Sequence, residues 1–396
     1  VFYKKMKKSY KKSRLLASQV PASYCPAAFR EIYSASDGNY KLCCHANKSP
    51  ELKGLNENKV LPFEYFMSKE MDKIRSDMME GNDIPECAKC HGLEKSGNIS
   101  PRYNWLDKCG LISTVDKVDL KLRISGSFCN LGCYMCGPTN SSTRRKVFDE
   151  IYDKNDDMRS HFYFDSFTFK HTHWNNVVAN ILENIHLVNK IHMTGGEPLQ
   201  LPKYWEFLDS IPKDIAKNIK LSHDTNLTKI RYKNHSIHST IDKFKEVSYS
   251  VSCDHVGDKL AWIRNPIDVK EFENNLEELC ETSADRRIQV SIGILNIDDL
   301  FQIRDYYKNK FGMEVRLENI VVRPELLSIR NLPKELKNLY IDRYNEHPFI
   351  VAELKKDSSG LYDKALKYCD DLSLNMENDF RVIWKDWLEY VDSFRL

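Results

Sequence analysis

The stretch that decides the fold is Ser127-Phe128-Cys129-Asn130-Leu131-Gly132-Cys133-Tyr134-Met135-Cys136, which directly follows a short apolar run. Three thiols at the spacing C-x3-C-x2-C are one short of the four that saturate a cubane iron–sulfur cluster. A fourth iron without a protein ligand can bind an outside molecule through its amino and carboxylate groups, much as catalytic metal sites keep one position open. The alternative is a structural zinc site, which needs a fourth Cys or His nearby.

The sequence around this stretch is repetitive. Short apolar runs alternate with longer amphipathic ones from about residue 116, which predicts β–α units around a parallel sheet. Strands are predicted at 119–125, 189–194, 219–224, 246–252, 287–294 and 314–321, and helices at 142–154, 175–187, 203–210, 268–283, 298–310 and 333–345. The pattern predicts an α/β fold with a partial (β/α)6 TIM-like barrel.

The whole sequence is predicted to divide into four parts. A basic arm (1–24) precedes a small cysteine-rich module (25–112), the barrel (113–330) and a helical C-terminal extension (331–396). Within the module, the apolar spacing predicts a helix over about 63–80 that ends at Gly81.

Composition excludes several classes of protein. Hydrophobic residues make up 41% of the 396 residues and charged residues 29%, which is typical of a soluble globular protein. No apolar run approaches the roughly 18 residues that span a membrane, and no secretory signal is evident, so we expect a cytoplasmic protein without a membrane partner. Residues 1–14 carry seven Lys and Arg and no acid. Such an arm could bind nucleic acid, but the rest of the chain is not basic, and we interpret it as a solvated terminus.

The cysteine stretch resembles the hallmark loop of the radical S-adenosylmethionine (SAM) superfamily. The resemblance implies that Cys129, Cys133 and Cys136 hold a catalytic [4Fe–4S] cluster with SAM on its open iron, next to Tyr134. One departure is Met135, because that position is usually aromatic in the family.

The second predicted strand runs into a turn that matches the family as well. Two glycines at a strand end let the backbone approach a ligand closely. The resemblance implies that this turn, Gly195-Gly196-Glu197-Pro198, binds the amino group of SAM. The resemblance also implies that residues at or after the later strand ends contact SAM, namely Thr225, Asn226, Ser252, Asp254, Arg264 and Asn296.

The upstream cysteines form a second group. Cys25 and Cys43 stand at the spacing C-x12-G-x4-C, with a hairpin turn predicted at Asp37-Gly38, and Cys87 and Cys90 follow. This group resembles the twitch module, a shortened SPASM domain, here placed before the barrel. The resemblance implies that these four thiols hold an auxiliary [4Fe–4S] cluster. A zinc knuckle is the alternative, and one ligand could instead come from Cys44, His45, His91 or Cys109.

The resemblance implies an enzyme in which an external donor such as flavodoxin or ferredoxin supplies one electron. SAM is then cleaved to a 5′-deoxyadenosyl radical that abstracts hydrogen from the substrate. We expect a small polar metabolite, a sugar or a nucleotide, with a peptide or protein side chain as the alternative. Whether the outcome is oxidation or rearrangement stays open. Candidate substrate contacts are Arg102, Tyr103, His171, His173 and Arg323. The alternative from another class is a non-catalytic electron carrier or a zinc-stabilised binding module.

Overall fold

The computed structural model describes residues 12–35, 39–48, 50, 60–96, 99–123, 126–164 and 171–394, with the backbone alone at 171–173. The strands are β1 (Glu31–Ser34), β2 (Tyr40–Lys41), β3 (Val118–Leu122), β4 (Val188–Met193), β5 (Lys220–Thr225), β6 (Arg231–Tyr232), β7 (His235–Ser236), β8 (Glu246–Ser252), β9 (Asp285–Ile292) and β10 (Glu314–Ile320). The helices of seven residues or more are Lys69–Glu80, Ala88–Lys95, Pro101–Cys109, Ser142–Ile151, His171–Glu183, Pro202–Ser210, Ile237–Lys243, Gly257–Ile263, Val269–Cys280, Leu300–Phe311, Lys334–Arg343, Pro348–Leu354, Tyr362–Ser373 and Lys385–Asp392. None of these described helices has the length and apolar character of a membrane span.

The strands form an open and mostly parallel sheet. In the described part of the chain it has eight strands in the order β10-β9-β8-β5-β4-β3-β1-β2. Neighbouring strands from β10 to β1 are parallel, and β2 pairs with β1 in antiparallel fashion. Helices connect the parallel strands, because such crossovers need a dozen or more residues. The predicted α/β fold with a partial barrel of six β–α strands is confirmed.

The two faces of this sheet differ sharply in chemistry. Register places Leu120, Ile191, Leu221 and Val247 side by side on one face, which we call the apolar face. The other face, the polar face, carries these side chains: Asp119 and Lys121 on β3, Lys190 and His192 on β4, Ser222 and Asp224 on β5, Ser248, Ser250 and Ser252 on β8, Arg287, Gln289 and Ser291 on β9, and Arg316 on β10. A filled TIM barrel has branched apolar side chains inside. A polar face of this kind instead suits a chamber for a polar ligand.

The module before the barrel differs from its prediction in two places. The helix predicted over 63–80 is broken into Pro62–Phe66 and Lys69–Glu80, because Ser68 is extended and its hydroxyl accepts a hydrogen bond from the Met71 N–H at 3.2 Å. This N-cap geometry starts a new helix rather than continuing the old one. The prediction also missed β1, which extends the barrel sheet through its parallel pairing with β3. The predicted hairpin turn at Gly38 lies outside the described residues, but the strands on either side of it do pair.

The C-terminal residues are helical, as predicted, and they pack against the barrel. The Tyr368 hydroxyl donates to the Tyr134 carbonyl at 2.9 Å, within the cysteine stretch. Trp384 Nε1 donates to the Leu295 carbonyl at 2.9 Å, in the loop after β9. The C-terminal helices therefore support two of the loops at the carboxyl end of the sheet.

Candidate active site

Cys129, Cys133 and Cys136 come together in the loop after β3. Burial raises the pKa of Cys129 to about 12, and the neighbouring Cys133 adds to the effect. A hydrogen bond between the other two thiols raises the pKa of Cys133 and lowers that of Cys136. Thiols bind metals as thiolates, so this convergent and buried set needs positive charge to hold its ligand form.

The nearest fixed positive charge is Arg264. Its Nη1 lies 3.7 Å from Cys133 Sγ, and its Nη2 lies 2.6 Å from Asp254 Oδ2 in an ion pair that is almost fully buried. Burial opposes the charge of Arg264, but Asp254 and the thiols outweigh that effect and raise the pKa of the guanidinium. Asp254 is held in turn by the Ser291 N–H at 2.6 Å. The predicted pair of Asp254 and Arg264 thus lies directly beside the cysteines.

Glu197 joins the glycine turn to the next strand end. Its fully buried carboxylate accepts hydrogen bonds from the Thr225 hydroxyl at 2.7 Å and the Asn226 N–H at 2.5 Å. Burial raises the pKa of Glu197 to about 7, against the effect of these donors. The Glu197 N–H donates to the Phe128 carbonyl at 2.8 Å, which fastens the turn to the cysteine loop. Pro198 is buried and follows Glu197 directly.

Gly195 and Gly196 both have positive φ, at 78° and 54°. A Cβ atom at Gly195 would stand 2.8 Å from Arg123 Nε. The turn therefore needs glycine at this position, both for its backbone conformation and for the close approach of Arg123.

Two side chains of this network were missed in the sequence. Arg144 is fully buried and donates from Nε to the Cys133 carbonyl at 3.1 Å and from Nη2 to the Gly132 carbonyl. The Asn130 side chain accepts from Asn226 Nδ2 at 3.0 Å, and the same Nδ2 lies 3.8 Å from Cys129 Sγ. Arg144 could have been suspected, since it stands in the first turn of the helix that Ser141 caps after the cysteine loop.

The other predicted SAM contacts have different surroundings. The Tyr134 side chain is fully buried and packs on Trp262 at 5.9 Å between ring centroids, so it points into the core. The Asn296 side chain is also buried, donating to the Asp254 carbonyl and accepting from the Gly293 N–H, and it braces the loop after β9. Ser252 stands at the end of β8 on the polar face, opposite Gln289.

The upstream cysteines form a second cluster of thiols. Cys25, Cys43, Cys87 and Cys90 line one pocket together with His45 and His91. Burial raises the pKa of all four thiols, for Cys43 and Cys87 to about 12, and the other three thiols add to the effect at Cys25. Backbone N–H groups point at the sulfurs, from Ala27 to Cys25 and from His45 to Cys43 at 3.4 Å.

Both thiol sets fit iron–sulfur clusters in their donor chemistry, three thiols at one site and four at the other. Among the described residues, no group of three or more His, Cys, Asp or Glu side chains is arranged to hold a single metal ion. A cubane spaces its ligands more widely, since each thiolate binds a different iron.

Among the predicted substrate contacts with described side chains, Arg102 and Tyr103 lie in the module and Arg323 lies after β10. Arg102 is buried in the module, where it pairs with Glu94 at 2.5 Å and donates to the Tyr24 carbonyl. Tyr103 lies beside it, with the Arg102 guanidinium 5.5 Å from the centre of its ring. Arg323 is exposed and lies 5.2 Å over the ring of Tyr163. His171 and His173 have side chains outside the described residues.

Compared with these candidates, the polar face carries a group of hydrogen-bonded polar side chains whose chemistry suits a polar substrate. His192 Nδ1 lies 2.9 Å from Ser222 Oγ, and His192 Nε2 lies 3.1 Å from Asp224 Oδ2. Burial opposes ionisation of Asp224, but the hydrogen bond with His192 outweighs it and lowers the pKa of Asp224. The alternation of polar and apolar residues in Lys190-Ile191-His192-Met193 is the pattern that places such side chains on one face.

A half-open cavity of about 730 Å³ lies at the far end of the sheet from the cysteine loop. Residues at the start of several strands line it, among them Lys190, Lys220, Glu246 and Asp285. The cysteine site lies at the opposite, carboxyl ends of the strands, so the cavity does not contain the thiols. Its lining comes from both faces of the sheet, with Lys190 from the polar face and Leu221 and Val247 from the apolar face.

The barrel is the part of the chain that matches a known protein family. Residues 124–300 match the family model of the radical SAM superfamily. No curated protein matches the chain.

Several solved structures are similar in part. Native anSMEcpe with bound AdoMet has 19% identity and a TM-score of 0.39, and the match covers 58% of this chain and 62% of that one. The same enzyme with AdoMet and the Cp18Cys peptide has 18% identity and a TM-score of 0.36, with 58% and 61% covered. Streptococcus suis SuiB bound to its precursor peptide SuiA has 14% identity and a TM-score of 0.37, with 74% and 64% covered. The match thus spans about three-fifths of the length of the anSMEcpe chains.

The family match covers the loop after β3, the glycine turn and the strand ends that the hydrogen bonds above join. This family uses SAM and a [4Fe–4S] cluster. The segment from residue 124 to residue 300, which holds the cysteine loop and the glycine turn, therefore matches the radical SAM superfamily.

Proposed function

We propose that this chain is a radical SAM enzyme that holds its SAM-binding cluster on Cys129, Cys133 and Cys136 and uses it to abstract hydrogen from a polar substrate. The observation that carries the proposal is the convergence of these three thiols beside the buried pair of Arg264 and Asp254. When bound, the cluster and SAM supply a 5′-deoxyadenosyl radical after one electron arrives from a donor such as flavodoxin or ferredoxin.

The chain's own residues would prepare this site. Arg264 places a fixed positive charge against the three thiolates, and in a buried site such a charge is screened little by solvent. Arg144 fixes the backbone of the cysteine loop through two carbonyls. Preorganised contacts of this kind hold a reactive group in place without a cost at the moment of reaction.

The glycine turn and the following strand ends would surround SAM. Gly195, Gly196, Glu197 and Pro198 lie beside the cysteine loop, and Thr225 and Asn226 lie against Glu197. Because its carboxylate already accepts from Thr225 and Asn226, and also from the Leu199 N–H at 3.1 Å, Glu197 would act on SAM mainly by shaping the turn. Asp254, Arg264 and Asn296 would hold the loops at the other side, with Ser252 facing the ligand and Tyr134 contributing through its backbone.

The module before the barrel would hold an auxiliary [4Fe–4S] cluster on Cys25, Cys43, Cys87 and Cys90. The support is the pocket that the four thiols share. Four protein thiolates leave no iron open, so this cluster would exchange electrons or shape the pocket rather than bind substrate. N–H groups that point at the sulfurs are one of the features that set the potential of such clusters.

The proposed substrate is a small polar metabolite, which the polar face would accommodate. The second candidate is a peptide side chain. The compared structures of anSMEcpe and SuiB include peptides, which is a property of those proteins. The observation in this chain that favours the second candidate is the half-open cavity of about 730 Å³, which leaves room for a substrate longer than one metabolite.

Anaerobic reconstitution tests the two cluster sites. We expect about eight irons per chain, four for each cluster, and cleavage of SAM under dithionite. Replacing Cys129, Cys133 and Cys136 with Ala should abolish SAM cleavage and leave about four irons. Replacing Cys25, Cys43, Cys87 and Cys90 with Ser should remove about four irons, those of the auxiliary cluster.

The matched control is Cys280→Ser, a partly buried cysteine at the end of the helix Val269–Cys280. This variant should keep all of its iron and its SAM cleavage. Cleavage that survives in the triple variant, or stoichiometric zinc without a brown chromophore, would reject the proposal.

The substrate class can be tested with deuterated cell extract. Incubation with SAM and dithionite should move deuterium into 5′-deoxyadenosine, which mass spectrometry detects. We expect the transfer with the fraction of small metabolites. Transfer only with the peptide fraction would replace the first substrate class with the second.

A further inference from the structure

Three basic side chains lie on the polar face with few opposite charges around them. Arg287 on β9 stands opposite Glu314 on β10, and Arg316 follows two residues after Glu314 on the same face. The two guanidinium groups are therefore diagonal neighbours. Lys190, on β4, interacts electrostatically with Arg287, although β5 and β8 lie between their strands.

The carboxylates near the two arginines are poorly placed to neutralise them. Arg287 Nη1 lies 3.9 Å from Asp285, and Arg316 Nε lies 4.0 Å from Glu314, both beyond hydrogen-bond distance. The Nε atoms of both arginines are buried and have no acceptor among the residues that the structure describes. A buried donor without a partner costs free energy, which an incoming acceptor would recover.

The charges around these side chains are mixed. Burial lowers the pKa of Arg287 and the neighbouring Arg316 lowers it further, while Asp285, Asp224 and Glu314 oppose the effect without outweighing it. At Lys190, burial and Lys108 lower the pKa, with smaller contributions from Arg287 and Lys121 against the one favourable charge of Asp119. Like charges held together in a partly buried space favour an anion between them.

The cavity beside this group has room for such an anion. Lys190 lines the space of about 730 Å³. Its lining holds five basic side chains and three acidic ones, namely Arg30, Lys108, Lys190, Lys220 and Lys245 against Asp119, Glu246 and Asp285. The charge of the wall therefore favours an anionic ligand over a cationic one.

We propose that Arg287, Arg316 and Lys190 bind an anionic group of the substrate, a carboxylate or a phosphate, on the polar face of the sheet. The proposal rests on the proposed function, since it assigns the substrate site of the same enzyme. Two guanidinium forks suit an acceptor with several oxygens, because each can donate in bidentate fashion.

The position of this site limits the size of the substrate. Arg287 precedes Ser291 by four residues on β9, and the Ser291 N–H holds Asp254 beside the cysteines. At a rise of about 3.3 Å per residue, the arginine lies roughly 13 Å along the strand from that point. A substrate that is anchored on the arginines and reacts at the cysteine end must span a distance of this order.

Titration calorimetry on the reconstituted chain of 396 residues, without SAM or reductant, tests the anion site. The probes are inorganic phosphate and acetate in separate low-salt titrations. We expect at least one of them to bind, and the one that binds more tightly identifies the anionic group. In the double variant Arg287→Gln/Arg316→Gln the affinity should fall at least tenfold.

The control is Arg304→Gln/Lys385→Gln, which removes two exposed basic side chains that form surface ion pairs. It should bind the anion as the unaltered chain does. If the arginine variant does not fold, Lys190→Met in the same titration replaces it, with the same expected loss.

Failure of both anions to bind the unaltered chain would overturn the inference, and so would equal affinity in the Arg287→Gln/Arg316→Gln variant. Because the titration needs no SAM cleavage, its outcome is separate from the iron and cleavage measurements that test the proposed function.

Discussion

The apolar and polar faces of the sheet are built from the same strands and differ at every second residue. On β9, Ile288, Val290 and Ile292 are fully buried on one face, whereas Arg287, Gln289 and Ser291 stand on the other and are only partly buried. The apolar face packs against helices, as shown by Tyr204 of the helix Pro202–Ser210, which reaches His223 on β5. The polar face instead borders the cavity and leads towards the cysteines.

Within one strand, the apolar face therefore contributes to folding stability and the polar face to ligand binding. Burial of apolar side chains drives folding, and the apolar face supplies that burial. The side chains of the polar face contribute less to the core, so they are available for binding. We therefore expect substitutions on the two faces to have different consequences for stability, even at adjacent positions of one strand.

The largest expected effect comes from truncating adjacent residues of β9 to alanine. Ile288→Ala removes a fully buried side chain from the apolar face and should lower the free energy of unfolding by about 2–5 kcal/mol. Gln289→Ala removes a similar volume from the polar face and should cost less than about 1 kcal/mol. Urea denaturation of the two reconstituted variants would measure the difference. Equal losses would contradict the distinction between the faces.

The alternation also explains how far the fold could be predicted. Strands β3 to β5 and β8 to β10 were predicted within a few residues, because their apolar positions recur with the period of a strand and helical patterns lie between them. Strand β1 was missed, since Glu31-Ile32-Tyr33-Ser34 is short and its strand character depends on pairing with β3. The break at Ser68 was missed because the apolar spacing continues across it.

The site was predictable in part for a similar reason. Spacing identified the three cysteines and the glycine turn, since both are local in the sequence. The roles of Arg144 and Asn130 depend on contacts to loop carbonyls and to Asn226, 96 residues away, which no local pattern encodes. The neighbours of the substrate candidates Arg102 and Arg323 depend on tertiary packing in the same way, since Arg102 pairs with Glu94 and Arg323 lies over Tyr163.

A smaller effect on stability is expected from His223 on the apolar face, and His192 on the polar face provides the comparison. His223 lies fully buried on the apolar face, where its Nε2 lies 2.5 Å from the Tyr204 hydroxyl. Burial, with a contribution from nearby His192, lowers its pKa to about 3. On the polar face, His192 has Asp224 beside it, which opposes the effect of burial on its pKa.

The sign of the pH effect follows from the lowered pKa of His223. The unfolded chain takes up a proton near pH 6.5, whereas the folded chain resists it until about pH 3. Stability from neutral His223 is therefore present above pH 6.5 and is lost as the pH falls towards 3. Between pH 7.5 and 5 the loss should be about 2 kcal/mol.

The measurement is urea denaturation across that pH range for the unaltered chain and for His223→Gln. The variant should lose this part of the pH dependence, whatever its stability at neutral pH. His186→Gln, at an exposed histidine, is the control and should leave the pH dependence unchanged. A His223→Gln variant with the full acid sensitivity of the unaltered chain would show that the apolar face tolerates a charged imidazole.

The smallest expected effect concerns a polar atom within the apolar face itself. Tyr249 on β8 is fully buried, and its hydroxyl has no hydrogen-bond partner among the described residues. Tyr249→Phe removes a group that was desolvated without compensation, so the free energy of unfolding should stay within about 1 kcal/mol or rise. Tyr307→Phe is the matched control, because the Tyr307 hydroxyl donates to the His255 carbonyl at 2.9 Å. Its removal should cost about 1–3 kcal/mol, since it takes away this bond and also the hydrogen bond that the hydroxyl accepts from the Cys253 thiol at 2.9 Å. A larger loss for Tyr249→Phe than for Tyr307→Phe would mean that the apolar face contains a polar contact to this hydroxyl, and that the two faces differ less than their side chains indicate.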